Sequence, residues 1–103
     1  MNENTLEKKN CLITGATGGL GRKIAIELAK KNCNLFLTGR QNKKLEKLNG
    51  ELEKINKNNL IKYKHCNLQE TEELDDLIQK IRDEFNSIDI LVNCAGMFPV
   101  SPI

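Results

Sequence analysis

The chain has 103 residues, 39% of them apolar and 29% charged, and its 16 basic and 14 acidic side chains leave a net charge of +2. That is enough for one small domain with a core of its own, and the charge is too balanced and too scattered to suit a nucleic-acid partner. No apolar run approaches the length of a membrane span, and the polar stretch from Met1 to Asn10 lacks the apolar segment of a signal peptide, so a cytoplasmic protein is expected.

The hydrophobic period alternates along the chain. Cys11 to Thr14 is a short buried strand, and Arg22 to Lys31 is helical, with Ile24, Ala25, Leu28 and Ala29 on one side. Asn34 to Thr38 is a second apolar strand. Lys43 to Ile55 is helical again through Leu45, Leu48, Leu52 and Ile55, with Gly50 inside it. Leu60 to Cys66 alternates loosely, as an edge strand does. Glu70 to Phe85 carries a stripe of Leu74, Leu77, Ile78, Ile81 and Phe85, and Ile88 to Val92 is the most apolar strand, as expected of a buried parallel one. The order β-α-β-α-β-α-β at this spacing predicts an α/β fold, a Rossmann-like parallel sheet of order 3-2-1-4. Residues 1–103 are expected to form one domain, incomplete at its C-terminus, so that the doubly wound fold is truncated.

The four cysteines, Cys11, Cys33, Cys66 and Cys94, form no Cys-x-x-Cys pair, and His65 is the only histidine. No metal site is expected. Each cysteine lies at or beside an apolar run, which suits small buried side chains in a reducing compartment.

Directly after the first strand, Thr14 to Gly21 reads Thr-Gly-Ala-Thr-Gly-Gly-Leu-Gly. Glycines allow a tight turn and let a phosphate approach bare backbone, and the helix that follows aims its free N–H groups and positive dipole end at the anion. Gly15, Gly19 and Gly21 fit Gly-x-x-x-Gly-x-Gly, and Gly15, Gly18 and Gly21 fit Gly-x-x-Gly-x-x-Gly. A plain left-handed turn is the simpler alternative. The second strand closes on Thr38-Gly39-Arg40. An acid near this point would bind both ribose hydroxyls of NAD, and none is present. Gly39 leaves room, and Arg40 brings a permanent planar cation suited to the 2′-phosphate of NADP. The plainer alternative is a solvated arginine at a strand end.

These residues resemble the short-chain dehydrogenase/reductase family. The glycine turn is similar to the family's Thr-Gly-x-x-x-Gly-x-Gly signature, and the run from Asp89 to Gly96 is similar to its Asp-hydrophobic-Leu-Val-Asn-Asn-Ala-Gly block. The second block favours the shorter branch, which includes 3-oxoacyl-[acyl-carrier-protein] reductases, over the sugar-nucleotide-modifying branch. The resemblance implies a cofactor site built from Gly15, Thr17, Gly19, Leu20, Gly21, Arg40, Asn67, Leu68, Asn93, Ala95 and Gly96. In that site the Leu20 N–H would meet the pyrophosphate and Thr14 would tie the first strand to Asn93. Asn67 and Leu68 would meet the adenine, while Asn93, Ala95 and Gly96 would line the floor beneath the ribose and nicotinamide. The chain departs from the family at Asn67, where an Asp is usual, at Cys94, which replaces an Asn, and at Gly18, where many NADP-using members carry a basic residue.

The resemblance also defines what is missing. The family reduces carbonyls with a Tyr-x-x-x-Lys pair plus a Ser and an Asn, all beyond the fourth strand. Here the only tyrosine is Tyr63, four residues before Asn67. Tyr63 is expected to pack, His65 to be structural, and no catalytic residue is assigned. The expectation is the NADP-binding half of an oxidoreductase that moves hydride between the cofactor and a carbonyl or alcohol. Such a half would be inactive alone, with NADP preferred over NAD, and the full-length form would be a homotetramer. The alternative is a non-catalytic nucleotide-binding module or pseudoenzyme.

Overall fold

In a computed structural model that describes residues 5–94, strands and helices alternate along the chain. The elements are β1 (Asn10–Thr14), α1 (Gly19–Lys30), β2 (Asn34–Gly39), α2 (Asn42–Ile55), β3 (Ile61–His65), α3 (Thr71–Phe85) and β4 (Ile90–Asn93). The four strands form one parallel sheet of order β3-β2-β1-β4, as the sequence predicts. β1 is central. Thr14 stands level with Thr38 on one side and Asn93 on the other, so three strands end side by side.

Two apolar layers sandwich the sheet. On one face Cys11 and Ile13 of β1 and Leu35 and Leu37 of β2 pack with Ala25 and Ala29 of α1 and Leu45, Leu48 and Leu52 of α2. On the other, Phe36 meets Cys66, Leu77, Ile81 and Phe85. The Phe36 and Phe85 rings meet edge to face, 5.7 Å between centroids and at 83°, the arrangement the ring quadrupole favours. Tyr63 packs half-buried against the first layer, and His65 is exposed, 3.6 Å from a Glu73 carboxylate oxygen.

The amino end of the sheet is stitched by amide side chains. Asn10 Nδ2 donates to the carbonyls of Phe85 (3.1 Å) and Ser87 (3.0 Å), and its Oδ1 accepts from Asn34 Nδ2 at 2.9 Å. Asn34 Oδ1 in turn accepts from the Leu60 N–H at 2.9 Å. The Asn10 backbone exchanges two 2.8 Å bonds with Asp89, through its carboxylate and its N–H. One chain of amides therefore fixes β1, β2, the entry to β3 and the entry to β4.

Several expectations need correction. α1 begins at Gly19, three residues before the predicted start, because the turn beneath it holds two weak helix formers, Gly19 and Gly21, in place. Ile55 (42% exposed) and Ile78 (41%) fall off their helices' buried stripes. Beyond Leu52 the inward position passes to Asn56, which caps the end of α2 and whose Nδ2 donates to the Ala29 carbonyl at 3.2 Å. β4 runs from Ile90 to Asn93 and is the least covered strand. Ile90 and Val92 are half-buried and Leu91 is 62% exposed, since among the described residues β4 pairs only with β1 and no helix covers Leu91.

Cys11, Cys33 and Cys66 are buried free thiols, and Cys94 is half-buried. Burial pushes the Cys11 thiol up to about 12, with neighbouring Cys33 adding to the rise, and burial likewise raises Cys33 and Cys66. These three are packing residues, poorly suited to form thiolates.

A methyl group on Gly50 would meet nothing within 4 Å. Gly50→Ala removes backbone entropy from the unfolded chain at no steric cost, so it is expected to stabilise by about 1 kcal/mol, read as a higher urea midpoint with an unchanged slope.

Candidate functional site

The carboxyl ends of the strands open onto a cleft of about 640 Å³. Its first wall is the glycine turn, with Gly15, Thr17 and Gly18. The end of β2 and its continuation supply Thr38, Gly39, Arg40 and Gln41. The loop after β3 supplies Cys66, Asn67, Leu68 and Gln69, and β4 supplies Asn93 and Cys94. This is the crevice at the switch point of the strand order, where open α/β sheets bind ligands.

The glycine turn is built by contact. Gly15 sits at φ 64°, a conformation that costs other residues energy. The Gly18 N–H donates to the Gly15 carbonyl at 3.2 Å, and the Ala16 N–H donates to the Thr38 carbonyl at 3.1 Å, which pins the turn to β2. A Cβ on Gly21 would lie 2.4 Å from the Gly15 carbonyl oxygen and 3.0 Å from the Ala16 Cα. Glycine at 21 is therefore what lets α1 start directly on the turn. Gly18 would meet only that same oxygen at 3.6 Å, and Gly19 would meet nothing within 4 Å. The fold thus demands glycine at 15 and 21 and leaves both middle positions sterically free. Gly19, Leu20 and Gly21 form the first turn of α1, where backbone N–H groups have no acceptor one turn earlier in the helix.

Opposite the turn, Thr14 Oγ1 donates to Asn93 Oδ1 at 2.7 Å and the Cys94 N–H donates to the Thr14 carbonyl at 3.0 Å, the tie the resemblance implies. Thr38 Oγ1 is buried in the cleft floor without a hydrogen-bond partner among the described residues. Arg40 is exposed at the rim and makes no ion pair among the described residues. Asn67 is partly committed to its own loop. Its Oδ1 accepts from the Gln69 N–H at 3.1 Å and its N–H donates to Glu73 Oε1 at 3.2 Å, so one lone pair of the amide oxygen remains for a ligand.

Of the residues singled out from sequence, Gly15, Thr17, Arg40, Asn67, Leu68 and Asn93 line this one cleft. Gly19, Leu20 and Gly21 stand beside it at the start of α1, with Leu20 half exposed. Ala95 and Gly96 lie outside the described residues. Sequence reasoning missed the lining by Thr38, Gln41, Cys66 and Gln69, whose only signal was adjacency to the ends of β2 and β3. Among the described residues no group of three His, Cys, Asp or Glu side chains could hold a metal ion.

A glycine turn between a central parallel strand and its helix, at the switch point of a 3-2-1-4 sheet, is matched by the short chain dehydrogenase profile over residues 9–103. The chain belongs to the short-chain dehydrogenase/reductase family. It is 34% identical over 92 residues to the 3-oxoacyl-[acyl-carrier-protein] reductase FabG of Haemophilus influenzae, covering 89% of this chain and 36% of that protein. Among solved structures it is similar to the L-sorbose reductase of Gluconobacter frateurii complexed with NADPH and L-sorbose. There the TM-score is 0.86 at 26% identity, over 99% of this chain and 38% of that one. It is also similar to an NADH-dependent reductase complexed with NAD, with a TM-score of 0.75 at 28% identity, over 87% of this chain and 37% of that one. The chain spans less than half the length of the curated relatives it matches. No helix among the described residues is long and apolar enough to cross a membrane.

The steric map separates two glycines of this family signature. Gly21→Ala is expected to destabilise by about 1–3 kcal/mol, since it forces a methyl into backbone. Gly19→Ala should melt within a degree or two of wild type, yet weaken dinucleotide binding by filling the open space above the turn. Thermal melts and cofactor titrations on both variants check the pair.

Proposed function

We propose that this chain is the NADP-binding half of a short-chain oxidoreductase, one that transfers hydride between the cofactor and a carbonyl or alcohol carbon in the complete protein. The observation that carries the reading is the rim of the cleft. β2 ends in Gly39-Arg40, with an exposed guanidinium that makes no ion pair among the described residues and no carboxylate among the lining residues. A carboxylate there would accept from both ribose hydroxyls and repel a 2′-phosphate; a guanidinium does the reverse.

The donor set fits a dinucleotide. Gly15 and the first turn of α1 offer backbone N–H groups to a pyrophosphate, the space above Gly19 admits it, and the orphan Thr38 hydroxyl and the free lone pair of Asn67 lie where an adenosine would rest. Thr17 would face the ribose phosphate, Leu68 the adenine, and Asn93, Ala95 and Gly96 the floor of the ribose and nicotinamide. When bound, the cofactor supplies the hydride; this chain's residues hold and orient it. Both the NADPH of the sorbose reductase complex and the NAD of the other complex sit on this fold, so the preference rests on Arg40 and not on the likeness. In the complete protein the expected assembly is a cytoplasmic homotetramer acting on a small carbonyl compound or alcohol.

A second reading is a nucleotide-binding module without catalysis. The only tyrosine, Tyr63, packs against the core on β3 and is followed four residues later by Asn67 rather than Lys. Without an acid to protonate the alkoxide, the 103-residue chain is expected to give no turnover of NADPH with ketones or 3-oxoacyl thioesters above a heat-inactivated control.

Cofactor preference is tested by titrating NADPH and NADH against wild type and Arg40→Ala. A charge-assisted contact to phosphate is worth about 1.5–3 kcal/mol, so NADPH should bind roughly ten- to a hundredfold more tightly than NADH, with the advantage lost in the variant. Equal affinities in wild type would overturn the assignment.

A further inference from the structure

Beside the cleft lies a smaller hollow of about 270 Å³ between α1 and α2, lined by Thr17, Arg22, Lys44, Lys47, Leu48 and Glu51. Thr17 lines both hollows, so the two meet across a single side chain. A Cβ on Gly39 would lie 3.6 Å from Thr17 Oγ1, which places the threonine hydroxyl over the end of β2, one residue before Arg40.

The charges in this hollow are unevenly committed. Arg22 is spoken for, since its Nη2 lies 2.6 Å from Glu51 Oε2. The Lys44 and Lys47 side chains make no ion pair or hydrogen bond among the described residues, and neither does that of Arg40 across the rim. The first turn of α2 holds no acidic residue to offset them. A surplus of uncompensated cations thus gathers around one hydroxyl at the mouth of a cleft. A phosphate monoester carries nearly two negative charges at neutral pH, more than one guanidinium neutralises.

We infer that Lys44 is a second specificity-determining residue for the ribose 2′-phosphate, acting across Thr17 from Arg40. This rests on the NADP reading and extends it to a residue of a different element. Lys44 is favoured over Lys47 by position: it lies in the first turn of α2, four residues after Arg40, whereas Lys47 is a further turn away, about 4.5 Å along the helix axis. Arg22 anchors the far wall through Glu51 and leaves Lys44 as the uncommitted cation in the first turn of α2.

Adenosine 2′,5′-bisphosphate and 5′-AMP differ only in the 2′-phosphate and need no turnover to report on it. Calorimetric titration of the 103-residue chain with each is expected to show a preference for the bisphosphate. Lys44→Gln should cut bisphosphate affinity about three- to tenfold while leaving 5′-AMP unchanged, and should flatten the salt dependence. Lys44→Arg should keep the preference, and Lys47→Gln should shift it less than about twofold. Unchanged bisphosphate affinity in Lys44→Gln, or an equal loss for both ligands, overturns the role of Lys44. Arg40→Gln keeps the two levels apart. If it abolishes the preference while Lys44→Gln does not, only this inference fails. If wild type shows no preference, or binds neither nucleotide, the NADP reading fails and Lys44 with it.

Discussion

The approach of Gly21 to the carbonyl of Gly15 governs the rest of the molecule. Because a single Cβ would meet that oxygen at 2.4 Å, α1 rests directly on the turn that ends β1, with no spacer between strand and helix. That seat sets the direction in which α1 leaves the sheet and aims its first N–H groups at the cleft. Ala25 and Ala29, the small side chains that α1 buries over β1 and β2, continue the same close contact one and two turns on. The Ala16 N–H bond to Thr38 then carries the position of the turn across to β2, where Arg40 emerges. The backbone N–H groups of the turn and the Arg40 side chain at the cleft rim are thus held in one frame by one hydrogen bond and one missing methyl group.

Much of this was legible in the sequence, because the period of the apolar residues changes cleanly from element to element. The strand order followed from the alternation, and the cleft from the glycine turn. What the pattern could not give was set by tertiary contact. Gly19, Leu20 and Gly21 look like loop because two are glycines, yet they are helical because the turn supports them. Ile55 and Ile78 have helical spacing but point outward, while Asn49 and Asn56 go in. Leu91 sits in the most apolar stretch and is the most exposed of the large apolar side chains among the described residues, because burial of a strand depends on what lies above it and not on its own composition. Lys44 was invisible for a similar reason. A lysine in a helix rich in lysine carries no mark of its own, and only the packing of α2 beside α1 brings it to Thr17.

The two edges of the sheet differ in kind. β3 sets Lys62 and Lys64 between Ile61, Tyr63 and His65, and lysines on an edge discourage another strand from pairing there. Lys62 also lies 3.8 Å from a carboxylate oxygen of Glu84 on α3. β4 has no such protection: its four residues are Ile, Leu, Val and Asn, and Leu91 is open on the face that Leu12 shares. The cleft spans both edges, taking lining from the loop after β3 and from the end of β4 as well as from the two inner strands.

The amide stitch at the amino end has a consequence for how the molecule answers its solvent. Apart from the Asp89 carboxylate, the bonds through Asn10 and Asn34 join neutral groups, and a neutral dipole barely registers dissolved ions. The opposite end of the same strands is the reverse, with Arg40, Lys44 and Lys47 standing in solvent without partners among the described residues. Ionic strength therefore reaches one pole of the sheet and passes over the other. Raising it within the physiological range would screen the positive charge at the strand tips while the knot at their bases stays tied. In this fold the charge at the strand tips is electrolyte-sensitive and the amide knot is not, and the two are separated by the length of a five-residue strand.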